Sequence, residues 1–420
     1  MSDRSSSEST SPEPSRPEAT ASHDGVPPGT TRVLLVAALS LFATSLFMRC
    51  VDPLIPQIAM GFGLDTATVV LLSTAYALPY ALAQPMLGSI GDTLGKTRVL
   101  KVSLVASAAA GFLGAVAPDF AVLMVSRVLV GVLSAGIFPI ALAIAGDLVP
   151  VQRRQIAFGR LLAAAMLGNV MGSPLAGVIA DTVGWRGVFA LVATLALVAF
   201  VAVQIGFRGL ALDTRSRFDV PTVMAGYRAV LRNPLAKFCY AAVFIEGVFV
   251  YGLFPFVATF LAARGEGRAV IAGVVIAGFA IGGFIYSATV PLLVGRLGER
   301  RLMLGGGLFM ALGVSSTALG LAWPFEIVVF MVLGLGFYSL HGVIQVYVSE
   351  LAPASRGLAV ALHGSCFFLG QALGPIVYRV GFEQAGVGPS TLVGAMVLLT
   401  TAAVCAARLR RVPKVGDTAA

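Results

Sequence analysis

The chain alternates between long apolar stretches and short polar ones. A helix that crosses a bilayer needs about 20 mostly apolar residues, and twelve such stretches follow one another along this sequence. The pattern therefore predicts an all-α membrane protein with twelve transmembrane helices. The predicted helices occupy residues 33–58, 67–88, 99–117, 120–146, 156–181, 186–206, 236–262, 269–294, 302–321, 324–349, 356–381 and 388–407.

The longest polar gap divides these helices into two groups of six. The first 30 residues are rich in Ser, Pro and Glu, which is typical of disordered segments, and they lack the basic-then-apolar start of a cleavable signal peptide. We divide the chain into an N-terminal tail (1–32), a first six-helix bundle (33–206), a cytoplasmic linker (207–235), a second bundle (236–407) and a C-terminal tail (408–420).

The composition supports a membrane protein and argues against nucleic-acid binding. The chain is 57% hydrophobic and 12% charged, where about 25% charged is usual for soluble domains, and its mean hydropathy is +0.91. The net charge is +9, but the basic residues lie in short loops rather than on one continuous patch. The four cysteines are far apart and lack metal-ligand spacing, so we interpret them as packing residues.

The basic residues also predict the orientation of the chain. Loops on the cytoplasmic side of a membrane carry an excess of Lys and Arg. If both termini are cytoplasmic, most of the 29 Lys and Arg residues fall on that side. The exceptions at outer loops and outer helix ends are Arg186, Arg264, Arg268 and Arg379. We therefore expect a multi-pass protein of the cytoplasmic (inner) membrane.

A short polar turn after the second predicted helix carries the most specific motif. It contains Gly88, Asp92, Gly95 and Lys96, and it resembles the signature loop between helices 2 and 3 of the major facilitator superfamily. The two halves also repeat, since the segment 147–153 resembles the segment 350–356. The resemblance covers residues 33–407 and implies two pseudo-symmetric six-helix bundles that rock around a central site.

The resemblance assigns a conformational role to Asp92. In the family, the loop aspartate is thought to meet the N-terminus of helix 11 when the cytoplasmic side is closed. A carboxylate is favoured at the positive end of a helix dipole, and that end lies near residues 355–357 here. The alternative is that Asp92 is simply a soluble turn residue.

Arg127 lies within the fourth predicted helix, where it resembles the arginine of a helix-4 motif in this family. An unpaired charge in lipid is costly, so its presence requires a reason. One interpretation is a cavity-facing residue that binds an anion or tunes a nearby acid. The other is a structural anchor that donates hydrogen bonds to backbone carbonyls.

The fifth predicted helix carries a glycine pattern of Gly159, Gly168, Gly172 and Gly177, with Pro174 between the last two. Its spacing resembles the motif of the proton-coupled antiporters, which are exporters. Ser173 separates Gly172 from Pro174, where family members have Gly and Pro adjacent. Small residues would let this helix pack closely against the other half, and Pro174 would introduce a kink. The alternative is generic close packing of membrane helices.

Two acids fall well inside predicted helices, Asp52 and Glu246. Glu246 lies near the membrane midplane, since it is about ten residues into its helix at ~1.5 Å per residue. Intramembrane acids are functional candidates by default, so we expect Glu246 to gain and lose protons as access alternates. The alternative is a protonated side chain that hydrogen-bonds to a neighbouring helix.

Arg49 and Asp52 are three residues apart near the outer end of the first helix. This spacing places them on one helix face, where they can pair. Two interpretations remain open, a self-neutralised pair at a capped helix end and an outer gate for the substrate.

Polar side chains form stripes on two predicted helices, and a third helix adds His363. The stripes are Tyr76, Tyr80 and Gln84 on the second helix and Tyr338, His341 and Gln345 on the tenth. Such stripes could line the binding site of an amphipathic substrate, or they could form interhelical hydrogen bonds. The substrate-binding candidates are Tyr76, Tyr80, Gln84, Asn169, Tyr338, His341, Gln345 and His363.

These features predict a secondary transporter that exports a small organic compound in exchange for protons. The sequence shows no phosphate-binding G-x-x-x-x-G-K-[ST] loop and no nucleophile elbow, so we expect no enzyme activity and no cofactor, with a proton gradient as the energy source. The expected partners are the substrate, protons and the lipid bilayer, and we expect a monomer. The alternatives are an importer or facilitator of a metabolite (a sugar, nucleobase or vitamin) and, more remotely, a transporter-like sensor that moves nothing.

Overall fold

The computed structural model describes residues 29–208 and 220–409, without the side chains of residues 88–92, 151, 152, 220, 222, 223 and 354. All regular elements in these two ranges are helices. The predicted all-α membrane fold is therefore confirmed. The predicted tails and the middle of the linker lie mostly outside the described residues.

Long apolar helices account for nearly all of both ranges, and we number them in chain order. The first bundle comprises α1 (Thr30–Phe62), α2 (Thr66–Leu87), α3 (Lys96–Ala115), α4 (Phe120–Leu148), α5 (Arg153–Val183) and α6 (Trp185–Gly206). The second comprises α7 (Ala236–Ala262), the continuous segment Ala269–Leu319, α10 (Trp323–Glu350), α11 (Arg356–Ala385) and α12 (Val387–Arg408).

The continuous segment is two helices, α8 (269–297) and α9 (299–319), joined at Gly298. Gly298 has φ 72° and ψ 162°, which lies outside the helical region. Only glycine adopts such a conformation without strain, so the chain reverses there with no intervening loop. The prediction of twelve helices is confirmed, although the turn between α8 and α9 is tighter than the sequence suggested.

The linker contains a helix that was not predicted. Val220–Arg232 is helical, and it packs beside the start of α11, where a Cβ at Gly226 would lie 3.2 Å from the hydroxyl oxygen of Ser355. The second half of the linker is thus attached to the second bundle.

Proline interrupts α1 and α7 at corresponding positions in the two halves. A short 3₁₀ segment containing Pro53 spans Asp52–Leu54 in α1, and another containing Pro255 spans Tyr251–Phe256 in α7. Proline lacks the N–H that would continue the helical hydrogen bonds, so both helices break there. The two breaks lie against each other and bring the side chain of Arg49 to 4.3 Å from the ring centroid of Tyr251.

Glycines hold pairs of helices at backbone contact within each half. In the first half, a Cβ on Gly172 would lie 2.9 Å from the Cβ of Arg49, so α5 lies directly on α1. In the second half, a Cβ on Gly374 would lie 2.5 Å from the Cα of Gly252, so α11 lies directly on α7. Gly168 makes the same kind of contact with the carbonyl of Phe42.

The two halves meet where α5 crosses α8 and where α2 packs against α11. A Cβ on Gly177 would lie 2.5 Å from the carbonyl oxygen of Ala269, and one on Gly273 would lie 2.8 Å from the Cα of Pro174. The prediction that the α5 glycines face the other half is therefore right for Gly177 alone. Gly168 and Gly172 instead pack on α1, and Gly159 faces open space.

The first described helix begins and the last one ends at the same end of the molecule. The side chain of Arg32 donates to the carbonyl of Arg208 at 3.4 Å, and Tyr347 donates to the carbonyl of Leu409 at 3.3 Å. We call the end that carries Thr30 and Arg408 the terminal face. The opposite end, where α5 crosses α8, is the distal face.

Gly177→Ala is expected to lower the thermal stability of the detergent-solubilised protein. The new methyl group would meet backbone atoms, which cannot rotate away, and overpacking of this kind costs roughly 1–3 kcal/mol. The matched control is Gly159→Ala, which gains helix propensity of up to about 1 kcal/mol and meets no atom within 4 Å. The midpoints of thermal unfolding should move in opposite directions, and equal shifts would contradict the described crossing.

Candidate functional site

A cavity of about 240 Å³ lies between the two halves. Side chains from α1, α2, α4 and α5 of the first half and from α10 and α11 of the second half line it. Seven of the eight substrate-binding candidates are among the lining residues: Tyr76, Tyr80, Gln84, Asn169, His341, Gln345 and His363.

The α2 wall is a polar aromatic stripe. The rings of Tyr76 and Tyr80 stack with their centroids 5.7 Å apart, and Tyr80 also packs edge-on against Phe368 of α11 at 4.6 Å. One turn further along, the amide of Gln84 lies beside Gly364 of α11. The four-residue spacing seen in the sequence places all three α2 side chains on the cavity face.

Two histidines form the opposite wall. The ring centroids of His341 and His363 are 4.8 Å apart, and His341 stacks on Phe337 at 4.7 Å. His363 is 5% exposed, and its Nε2 atom has no hydrogen-bond partner among the described residues. The Oε1 atom of Gln84 also has no described partner. Both atoms belong to cavity-lining residues and are therefore available to a bound molecule.

Glu246 lies behind this wall and does not line the cavity. Its side chain is fully buried, and its Oε2 atom is 2.7 Å from Nδ1 of His341. Its Oε1 atom has no described partner. His341 therefore lies between the carboxylate and the cavity, and a proton could reach Glu246 through it. The sequence marked both residues but did not show that they are paired.

A smaller cavity of about 80 Å³ continues from the central cavity toward the distal face. Asn169 lines both cavities, and Tyr338 lies in the smaller one together with Arg49 and Tyr251. The eighth binding candidate is thus placed deeper along the same path, next to the Arg49 guanidinium.

Arg49 and Asp52 pair as predicted and also contact the other half. Nη1 of Arg49 is 3.2 Å from Oδ2 of Asp52, and Ser73 donates to Oδ1 of Asp52 at 3.1 Å. Nη2 of Arg49 donates to Oε1 of Gln371 on α11 at 3.4 Å. The self-neutralised pair and the gate are thus compatible, since one neutral cluster both compensates the charge and joins the halves.

Arg127 adopts the anchoring arrangement rather than the cavity-facing one. Its side chain is fully buried, and Nη1 donates to the carbonyl of Phe47 at 2.9 Å while Nε donates to the carbonyl of Leu72 at 3.4 Å. The guanidinium also lies over the ring of Tyr76 at 4.6 Å. It therefore ties α4 to α1 and α2, and its described hydrogen bonds do not reach Glu246.

The halves are joined on the distal side by a set of contacts that we call the distal latch. Asp181, at the end of α5, accepts hydrogen bonds from the backbone N–H groups of Ala269 and Val270 at 2.9 Å each. These groups are the N-terminus of α8, where a carboxylate is favoured by the helix dipole. Thr74 of α2 donates to the carbonyl of Ala372 on α11 at 2.7 Å.

The distal latch was not predicted, because an exposed aspartate at a helix end has no distinctive sequence pattern. The four hydrogen bonds that the structure describes between the halves are those of Arg49, Thr74 and Asp181. All four lie distal to the central cavity. The halves are therefore closed at the distal face.

The side chain of Asp92 lies outside the described residues, so its expected contact with α11 stays a prediction. The neighbouring Lys96 is 2.6 Å from Oδ2 of Asp147. This ion pair joins the turn motif to the first copy of the repeated segment.

Known proteins resemble this chain in sequence and in fold. The family model of the Major Facilitator Superfamily matches residues 37–375 and again 267–419. The MFS-type transporter YtbD of Bacillus subtilis is 25% identical over 87% of this chain and 93% of its own length. The structure of a D-xylose-proton symporter superposes with a TM-score of 0.71 at 15% identity, covering 91% of this chain and 98% of that one.

Two further relatives match this chain over a shorter range. The chloramphenicol resistance protein of Streptomyces lividans is 31% identical over 40% of this chain and 42% of its own length. The MFS-type transporter YfhI of Bacillus subtilis is 25% identical over 53% of this chain. The chain spans about half the length of these two relatives, 42% and 55% respectively.

Asp181→Ala is expected to open the distal face. The substitution removes both hydrogen bonds to the start of α8 and the charge that favours that helix end, so the population of distally closed molecules should fall several-fold. Spin labels at Val116→Cys and Leu319→Cys, which are 72% and 70% exposed at the distal face, would report the distance between the halves.

The matched control for this measurement is Asp65→Ala. Asp65 caps α2 by accepting from the N–H of Thr68, and it lies at the same face without a described hydrogen bond to the other half. Replacement of the native cysteines would keep the labels specific. An unchanged distance distribution in Asp181→Ala, or the same broadening in both variants, would contradict the role of the latch.

Proposed function

The chain belongs to the major facilitator superfamily, and on that basis we propose that it exports a small organic compound in exchange for protons. The observation that carries the proposal is the contact between Glu246 and His341. One member of the pair is fully buried and the other lines the central cavity. A carboxylate and an imidazole in direct contact at a substrate cavity are suited to taking up and releasing a proton.

The pair can link proton binding to substrate binding through His341. A compound in the cavity that hydrogen-bonds to Nδ1 of the imidazole would compete with the contact that Glu246 makes there at 2.7 Å. Proton and compound would then favour different states of the pair. Such competition drives exchange only if the two states differ in their affinity for the compound, which is the condition for an antiporter.

The cavity lining favours an uncharged or weakly basic aromatic compound. Tyrosine and phenylalanine rings supply flat apolar surface, while amide and imidazole groups supply hydrogen bonds. The lining residues include no Asp, Glu, Lys or Arg. The volume of about 240 Å³ is below the usual range of ligand pockets, about 300–1,000 Å³, so the compound should be small. The similarity to a protein named for chloramphenicol resistance supports a compound of this kind.

The conformation fits the loading step of export. The basic residues predict that the terminal face is cytoplasmic, and the halves are closed at the opposite, distal face. A compound would therefore enter the cavity from the cytoplasmic side. The alternative, a proton-coupled importer, would use the same conformation to release its substrate, and the likeness in fold to a sugar symporter is compatible with it.

Glu246→Gln is expected to abolish substrate-dependent proton movement. Glutamine keeps the size and a hydrogen bond to His341 but cannot exchange a proton. The purified protein would be placed in liposomes containing a pH-sensitive dye under an imposed pH gradient, and a panel of aromatic drugs, sugars and vitamins would be added. Proton flux opposite to substrate flux in the wild type supports export, and flux in the same direction supports import.

Glu326→Gln is the matched control for this experiment. Glu326 is also buried within a helix, but it pairs with Arg264 at 3.2 Å near the distal face and does not line the central cavity. The control should retain coupled proton flux. If Glu246→Gln also retains it, another group carries the proton. If no compound moves in the wild type, a transporter-like sensor becomes the better interpretation.

Gln84→Ala is expected to weaken substrate binding without slowing the transport step. The loss of one hydrogen bond costs about 0.5–1.5 kcal/mol, so KM should rise roughly 2- to 12-fold with kcat nearly unchanged. The measurement is the initial rate of uptake into liposomes at varied substrate concentration. Gln204→Ala on α6, outside the central cavity, should leave KM unchanged, and an unchanged KM in Gln84→Ala would remove Gln84 from the binding site.

A further inference from the structure

A second opening lies on the outside of the second bundle, between α7 and α12. It is a groove of about 400 Å³, larger than the central cavity, and it shares none of its lining residues with that cavity. The residues that line it are Phe238, Ala241, Ala242, Ile245, Met396, Val397, Thr400, Thr401, Val404 and Cys405.

The surface of the groove is apolar even where its residues carry hydroxyl groups. Thr400 donates to the carbonyl of Met396 at 2.8 Å, and Thr401 donates to the carbonyl of Val397 at 2.8 Å. Both hydroxyl hydrogens are therefore used within α12. At the open side, Met396 is 62% exposed and Val404 is 40% exposed, so the groove faces the surroundings of the bundle, which are lipid in a membrane.

The groove has the length of one leaflet. It runs from Phe238 to Ile245 along α7 and from Met396 to Cys405 along α12. At 1.5 Å per residue these stretches measure roughly 10–14 Å, and half of a hydrocarbon core is about 15 Å. Since α7 begins and α12 ends at the terminal face, the groove lies in the leaflet on that side.

Two cations stand at the mouth of the groove. Nζ of Lys237 is 5.1 Å and the guanidinium carbon of Arg408 is 5.7 Å from the ring centroid of Phe238, which is the groove residue nearest the terminal face. Both side chains are exposed. Neither forms an ion pair with any residue that the structure describes, and the groove itself is lined by no acid. The site thus combines an apolar channel with positive charge at headgroup level.

We propose that this groove binds one acyl chain of an anionic phospholipid from the leaflet at the terminal face. The phosphate of the lipid lies between Lys237 and Arg408, and the chain follows α7 and α12 toward the middle of the membrane. Positive side chains near the membrane surface attract anionic lipids. A second copy of the protein fits less well, because a symmetric contact would bring the same two cations of each copy together.

The binding is independent of the direction and substrate of transport, since the groove lies within one bundle. Ala242 and Ile245 of its floor precede Glu246 on α7. A bound chain would therefore fill the space beside the helix that carries the buried carboxylate and would support the contact between α7 and α12.

Lipid binding can be measured directly by native mass spectrometry of the detergent-solubilised protein. The probe is an equimolar mixture of phosphatidylglycerol and phosphatidylcholine. The wild type should retain one phosphatidylglycerol in preference to phosphatidylcholine. In the double variant Lys237→Gln and Arg408→Gln, the preference should fall roughly 5- to 30-fold, as expected for the loss of two membrane-proximal cations.

Two further variants make the result specific. Ala241→Phe fills the groove and should reduce the retention of both lipids, because it removes the space for the chain. Arg268→Gln with Arg379→Gln changes the net charge equally at the distal face and should retain the wild-type preference. Equal retention by all variants would overturn the proposal. A dimer mass that is lost in Ala241→Phe would also overturn it, because a second copy would then occupy the groove.

Discussion

Close contact between helix backbones is the constraint on which this structure depends. In a bilayer, apolar side chains gain little by leaving lipid for protein, so helices are held together by van der Waals packing and internal polar contacts. Gly172 and Gly374 meet this constraint at equivalent places in the two halves, where α5 lies on α1 and α11 lies on α7. Each contact fixes a cavity-lining helix against the helix that carries Arg49 or Glu246.

Close packing of the helices also determines how the buried ionisable side chains are stabilised. Helices that touch at the backbone leave little room for water, so each charged group needs a partner within the protein. Arg127 uses two backbone carbonyls, Arg49 uses Asp52, and Glu246 uses His341. Nη2 of Arg127 has no described hydrogen-bond partner, and the pair of Arg49 with Asp52 does not line the central cavity. The contact of Glu246 is different, because its partner His341 is a titratable ring at the wall of that cavity.

The periodicity of the sequence predicted features that depend on a single helix, and it missed contacts that join two helices. The twelve apolar stretches and the shared face of Tyr76 and Gln84 follow from spacing along one segment, and the structure reproduces both. The pairing of Glu246 with His341 joins residues 95 positions apart, and no local pattern encodes it. The contact of Asp181 with α8 was missed for the same reason, since its partners are backbone N–H groups that any sequence supplies.

The described hydrogen bonds between the two halves lie on one side of the central cavity. The hydrogen bonds described between them are few and lie distally, whereas the glycine contacts of α1 with α5 and of α7 with α11 lie within each half. Opening the distal face would therefore break the hydrogen bonds of Asp181, Thr74 and Arg49 and the close contact of Gly177 with α8, while leaving each bundle intact. Asn169 lines both the central cavity and the smaller one beside Arg49. Separation of the halves at Arg49 would thus extend a path that already begins at the cavity, and the Glu246–His341 pair would remain within one half throughout.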